Sequence, residues 1–271
     1  MTAFLPHPAP HALIFDSGVG GLTIAAEIRA AHPHVALSFL ADDAFRPYGE
    51  KTESQLSARL PGLLRPICDM LNPDLVVIAC NTASTTALPT IRAALNCPVV
   101  GVVPAIKPAA ALSQTRSIAV LGTPGTVRRT YVDDLIAAHA ADCHVELVGS
   151  SALVEQAERK LSGREVDMAV IRRETAPLFD GLQGETVDAI VLACTHFPLL
   201  RDELEAAAPR LVAWIDSGEA VARRVGNLLD RITQFQACPP LSDTAFLTGP
   251  DDDPARRQAF AEHGFGRIVS L

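Results

Sequence analysis

Residues 74–82 read DLVVIACNT and residues 188–196 read DAIVLACTH. In each stretch an aspartate is followed six positions later by a cysteine, with Val77 and Val191, and Ala79 and Ala193, in matching places. Near-continuous apolar runs of this length are expected of strands buried on both faces of a sheet. Upstream, ALIFDSGVGG (12–21) and IAVLGTPGT (118–126) are each a strand pattern running into a Gly-containing turn. Two echoes in the same order, offset by roughly the same distance, predict two structurally similar halves.

Outward from these stretches, apolar runs recur at 12–15, 36–40, 75–79, 99–103, 118–121, 145–148, 189–193, 211–215 and 245–247. Helix-length segments lie between them, among them 22–31, 53–71, 126–141, 151–161, 167–182 and 219–233. Alternation of this kind predicts an α/β fold with doubly wound parallel sheets and right-handed connections. Residues 238–240 and 251–254 read as loops.

The 271 residues are enough for one large domain or two modest ones. A formal net charge of -8 argues against a general nucleic-acid surface, which needs clustered positive charge. An anionic substrate must therefore be held by local donors. Only three lysines are present, Lys51, Lys107 and Lys160, and none has the setting of a Schiff-base lysine. The first fifteen residues carry three prolines and no Lys or Arg, so neither a signal peptide nor a membrane span is expected. A cytoplasmic location follows, where thiols stay reduced. The six cysteines form no C-x-x-C pair.

Cys80 and Cys194 each close an apolar run and are followed by Asn81-Thr82 and Thr195-His196. In open α/β sheets the ligand crevice lies at the carboxyl ends of the strands, so both thiols are expected to face a cleft. If the two halves face each other, a substrate between them meets one thiol on each side. Inverting a carbon centre requires that arrangement, because a proton taken and returned on one face regenerates the starting enantiomer. A single cysteine at a strand end is more often a small hydrophobe; a duplicated pair with polar followers is not explained so simply. Cys68, Cys97, Cys143 and Cys238 lack such a setting and read as structural.

The loop Asp16-Ser17-Gly18-Val19-Gly20-Gly21 opens a helix and can offer backbone N–H groups and a hydroxyl to an anion. A dinucleotide fingerprint fails, because Thr23 stands where the third glycine is needed. Asp16 can bind an ammonium group, take part in proton transfer, or simply cap the helix. His196, two residues after Cys194, can polarise that thiol. A zinc site from Cys80, Cys194 and His196 is conceivable, but nothing in the spacing requires it.

DSGVGGLT (16–23), PYGEKT (47–52), ACNTAS (79–84) and ACTHFPLL (193–200) together resemble the signature blocks of the glutamate racemases, within the aspartate/glutamate racemase superfamily. The resemblance covers essentially the whole chain. It implies two similar doubly wound parallel-sheet α/β domains related by pseudo-symmetry, with the active site in the cleft between them. The first would be discontinuous, 1–105 plus 217–271, and the second would span 106–216. It further implies a cofactor-independent isomerase acting on glutamate, a small-molecule substrate, with no metal, nucleic acid or membrane involved. D-glutamate for peptidoglycan would be its product.

By the same resemblance Cys80 and Cys194 are the catalytic thiols, with Asp16 and His196 assisting proton transfer. Asp16, Ser17, Tyr48, Gly49, Asn81, Thr82, Thr195 and His196 would contact substrate, with Thr123 and Thr126 as further contacts. Amides and hydroxyls would hold the carboxylates without an arginine. Three departures bear on cleft shape: Asp42-Asp43 for a Gly-Asp pair, Ala193 for Gly, and Phe197 for Tyr. Relatives are frequently dimers, so a homodimer is the expected assembly. Regulation by a cell-wall precursor is not expected, since the stretch before the first strand is short. An aspartate racemase and a decarboxylase of the same superfamily are the competing readings; the decarboxylases keep only one of the two thiols.

Overall fold

The computed structural model of the chain describes residues 9–180, 184–232, 243–251 and 253–271. Cys238 and the loop around it, with the ends of the segments expected at 167–182 and 219–233, lie outside the described residues.

The first half runs β1 (His11–Asp16), α1 (Leu22–Ala31), β2 (Ala36–Ala41), α2 (Glu53–Leu71), β3 (Leu75–Ile78), α3 (Asn81–Ala94) and β4 (Val99–Gly101). After α4 (Ile106–Leu112) come β5 (Ser117–Gly122), α5 (Pro124–Val127), α6 (Thr130–His139), β6 (His144–Gly149), α7 (Ala152–Leu161), α8 (Met168–Thr175), β7 (Ala189–Ala193), α9 (Arg201–Ala207) and β8 (Ala213–Ile215). The chain closes with α10 (Gly218–Leu229), β9 (Thr244–Leu247), α11 (Pro254–Glu262) and β10 (Arg267–Ser270).

All strand pairs are parallel, in two sheets of order β10-β9-β2-β1-β3-β4 and β6-β5-β7-β8. The run β2-β1-β3-β4 has the same winding as β6-β5-β7-β8, so the echo in the sequence is an echo in topology. β1 corresponds to β5 and β3 to β7. In each unit the chain leaves the first strand to one side and returns on the other, which makes β1/β3 and β5/β7 the switch points where a crevice opens.

The central strands β1, β3, β5 and β7 are buried at every position. Their side chains alternate between two apolar layers: Leu13, Phe15, Val76 and Ile78 pack on one face of the first sheet, and Ala12, Ile14, Leu75 and Val77 on the other. Each fully buried Leu, Ile, Val or Phe contributes about 1.5–3 kcal/mol. That burial explains why these strands read as unbroken apolar runs.

Where the structure departs from the sequence reading, local chemistry gives the reason. The helix expected at 126–141 is two pieces, because Thr123 caps the short α5 and Arg129 is extended before α6 begins. The segment beginning at 167 tightens after Thr175 into a 3-10 turn that contains Pro177. The run expected at 211–215 pairs only from Ala213, and Leu211 stands in solvent. α3 was not singled out because its first turns are threonine- and serine-rich, yet Thr82, Ser84, Thr85 and Thr86 are buried. Ser84 donates to the Ile78 carbonyl and Thr85 to that of Asn81, so these two hydroxyls are satisfied within the fold. Among the described residues no helix is long and apolar enough to cross a membrane.

His11 opens β1 and is fully buried; its Nε2 lies 2.9 Å from the Ser38 hydroxyl and its backbone N–H donates to Asp74 at 2.8 Å. Burial drives its pKa below 6.5, outweighing the pull of Asp74. The unfolded chain therefore takes up a proton that the folded chain refuses, and stability present above pH 6.5 is lost as the pH falls below it. A His11→Asn variant should show a flatter decline of the urea midpoint between pH 7 and pH 5 than the parent. Equal slopes would remove His11 as the group responsible.

Candidate active site

Each switch point delivers one loop from each of its two strands. β1 ends in Asp16 and hands on to Ser17; β3 ends beside Cys80, the N-cap of α3, whose sulfur accepts from the Ala83 N–H at 3.5 Å. In the second unit β5 leads to Thr123, the N-cap of α5, and β7 leads directly to Cys194. These four loops surround one cavity of about 370 Å³. Ser17, Tyr48, Gly49, Cys80, Asn81 and Thr82 line it from the first half, and Thr123, Cys194, Thr195 and His196 from the second.

Asp16 is the exception among the expected residues: it is fully buried and is not part of the cavity lining. Thr126 is likewise fully buried, in a hydroxyl cluster with Thr82 and Thr123 in which every separation is 3.0–3.2 Å. That cluster joins the two halves on one side of the cavity. On another side, a β-carbon at Gly20 would overlap the His196 ring and the Thr195 hydroxyl, and Thr23 donates to the Thr195 carbonyl at 3.1 Å.

The Tyr48 hydroxyl points away from chemistry. It donates at 2.6 Å to Asp42, which also takes two bonds from Arg59 and one from Thr248. Burial works against ionisation of Asp42, but Arg59, Tyr48 and Thr248 outweigh it and hold the carboxyl below its ordinary value. Asp42 thus fixes the Tyr48-Gly49 turn, both residues of which line the cavity.

The two thiols differ in surroundings. Burial pushes Cys80 up to about 12, with Asp16 adding to the effect and the Ser17 hydroxyl, 3.5 Å away, opposing it. Asp16 is itself raised by burial against the pull of His196 and the N–H groups of its loop. His196 Nδ1 lies 3.8 Å from the Cys194 sulfur, and its Nε2 lies 3.7 Å from Glu158. At that distance His196 and Glu158 attract as charges without a hydrogen bond. Burial opposes a charge on His196, yet Cys194 and Glu158 prevail and raise it to about 10. These neighbours favour the imidazolium, which is in position to meet negative charge on the neighbouring sulfur.

Several features suit an amino-acid ligand. The Asn81 side-chain oxygen is buried without a partner and can accept from an ammonium group. The Ser17, Thr82, Thr123 and Thr195 hydroxyls and the N-terminus of the 14-residue α3 supply donors for carboxylates. Among the described residues no group of three or more His, Cys, Asp or Glu side chains is placed to hold a metal ion.

Sequence reading missed Glu158 and Arg46. Both line the cavity, bonded to each other at 3.0 Å, so the one arginine named in the lining is already paired with a carboxylate. Glu158 sits on α7, an amphipathic helix with nothing in its local sequence to mark it; only the fold brings it to His196.

The sequence model of the Asp/Glu/Hydantoin racemase family matches residues 22–225. A glutamate racemase from Sphingopyxis alaskensis is 48% identical, with 97% of this chain and 99% of that one covered. A second, from Shewanella sp. (strain ANA-3), is 49% identical over 96% of each. Among solved structures, Escherichia coli glutamate racemase, in complex with L-glutamate and the activator UDP-MurNAc-Ala, superimposes with a TM-score of 0.91 at 39% identity, covering 97% of this chain and 98% of that one. The chain therefore belongs to the Asp/Glu/hydantoin racemase family and, within it, to the glutamate racemases, which are isomerases.

Because the folded pKa of His196 is raised, its contribution to stability is complete below pH 6.5 and fades as the pH climbs through about 10. Replacing Glu158 by Gln removes one of the three groups that raise it, the others being Cys194 and Asp16. Nitrogen chemical shifts of His196 should then titrate at a lower pH than in the parent, and the alkaline loss of stability should shrink. An unmoved midpoint would mean that Glu158 does not sustain the imidazolium.

Proposed function

We propose that racemisation proceeds by transfer of the α-proton between Cys80 and Cys194, one thiol on each face of the bound glutamate. The observation that carries this reading is the equivalence of the two sulfurs: each follows the same strand of a like-wound sheet, and both line one cavity.

A thiolate on one side takes the α-proton, and the electron pair left at the carbon spreads onto the α-carboxylate. Hydroxyl and backbone donors already in position stabilise that charge without reorganising. The thiol on the other side gives its proton to the opposite face. The enzyme is left with its charge on the other sulfur, ready for the reverse reaction. Acid and base are both supplied by side chains, so the step calls on no cofactor. Asp16, behind Cys80, and His196, beside Cys194, assist the proton movements on their own sides, and Asn81 receives the substrate ammonium.

Glutamate as substrate is supported by the family and by the L-glutamate bound to the Escherichia coli relative. Retention of both thiols favours racemisation over the decarboxylase reading. D-glutamate would serve peptidoglycan synthesis. A cytoplasmic location fits an enzyme whose cysteines must stay reduced, and a homodimer is carried over from the family resemblance. Sheet membership supports a division into 1–105 plus 217–271 and 106–216.

Cys80→Ala and Cys194→Ala variants should each lose racemisation in both directions by about 10³-fold or more, the scale on which a positioned acid or base acts. Circular dichroism of L- and of D-glutamate followed over time checks this. Substantial racemisation by either variant would rule out a two-thiol transfer.

A further inference from the structure

Cys68 and Cys97 have no part in the racemisation chemistry, yet they are not isolated. Cys68 lies in the last turn of α2, and Cys97 in the turn between α3 and β4. Both are half-buried free thiols against the same apolar layer, and both line a cleft of about 490 Å³ together with Arg65, Asp69, Asn72 and Asn96. The two thiols stand at the C-terminal ends of α2 and α3, near enough for each to shift the ionisation of the other. Two neighbouring thiols on one cleft, each partly open to solvent, form a unit that single buried cysteines do not.

We infer that Cys68 and Cys97 are a redox-modification site, an oxidisable dithiol that reacts with small disulfides such as glutathione disulfide. The inference does not depend on the racemisation mechanism.

The contact divides the roles of the two sulfurs. The neighbouring Cys68 draws Cys97 below its ordinary pKa, while Cys68 is pushed up. Cys97 is therefore the leading nucleophile. Its thiolate attacks one sulfur of glutathione disulfide, forming a Cys97–glutathione bond and releasing one glutathione thiolate. Cys68 then loses its proton, attacks the Cys97 sulfur and expels the second glutathione. Two protein thiols are oxidised to one disulfide and one glutathione disulfide is reduced to two glutathiones, which carry away both protons. Cys68 lies fifteen residues beyond the start of the helix that follows the Tyr48-Gly49 turn, about 22 Å along its axis. The bond therefore ties the far ends of α2 and α3 and leaves the cavity thiols untouched.

The test uses the reduced full chain in glutathione buffers stepped from reducing to oxidising, quenched by alkylation and read by peptide mass spectrometry. Cys143, which among the described residues faces Asp142 and no other thiol, serves as the internal reference. The expected result is a Cys68–Cys97 crosslinked peptide at redox ratios where Cys143 is still alkylated. In Cys68→Ser, Cys97 should instead hold glutathione as a stable mixed disulfide, formed about tenfold faster than at Cys143. In Cys97→Ser, Cys68 should react no faster than Cys143. A parent protein in which Cys68 and Cys97 both remain alkylatable after Cys143 has been modified would overturn the proposal. So would mixed disulfides on both residues without a crosslink.

Discussion

Closure of the cavity depends on how nearly the backbone at Gly20 can approach the ring of His196. The first-half loop passes so close to Thr195 and His196 that no β-carbon fits between them. A side chain at position 20 would hold the two sheets apart, and the thiols of β3 and β7 with them. With the contact made, the Thr82, Thr123 and Thr126 hydroxyls meet across the same seam. Arg46, from the first half, reaches Glu158 of the second at the cavity wall.

Within that enclosure the charges are arranged asymmetrically around a symmetric pair. Cys80 is backed by a buried carboxyl that favours its protonated form, and Cys194 by an imidazole whose charged form its neighbours favour. The fold makes the sulfurs equivalent, and their neighbours set a resting difference between them. Local donors also explain how a chain of net charge -8 can hold an anion. The carboxylates of a ligand would meet hydroxyls and helix N–H groups, while Asp42 is already neutralised by Arg59, well behind the cavity wall.

Much of this was legible in the sequence because burial on both faces leaves a plain mark. β1, β3 and β7 read as strands from their unbroken apolar runs, and the repeated aspartate and cysteine announced the second unit. α1 and α2 were found with the same bounds as observed, the latter beginning at a Thr52–Gln55 capping box and ending at Asn72 in the left-handed region. Elements that hide their burial were harder to see. α3 fills its buried face with threonines, and β10 is a short edge strand whose side chains are at most half-buried. Glu158 and Arg46 could not be read at all, since the meeting of Glu158 with His196, and of Arg46 with Glu158, depends on the packing of α7 against the second sheet's loops. The placement of Asp16 behind the wall is equally invisible in a linear motif.

The most direct test of transfer between opposed thiols is to supply protiated L-glutamate in deuterium oxide and examine both enantiomers after a small fraction has turned over. A thiol that has exchanged with solvent delivers deuterium, so the D-glutamate first formed should carry deuterium at its α-carbon while the remaining L-glutamate is still largely protiated. D-glutamate that retains the original α-hydrogen would mean that one group removes and returns the proton, and the two-thiol account of this cavity would be wrong.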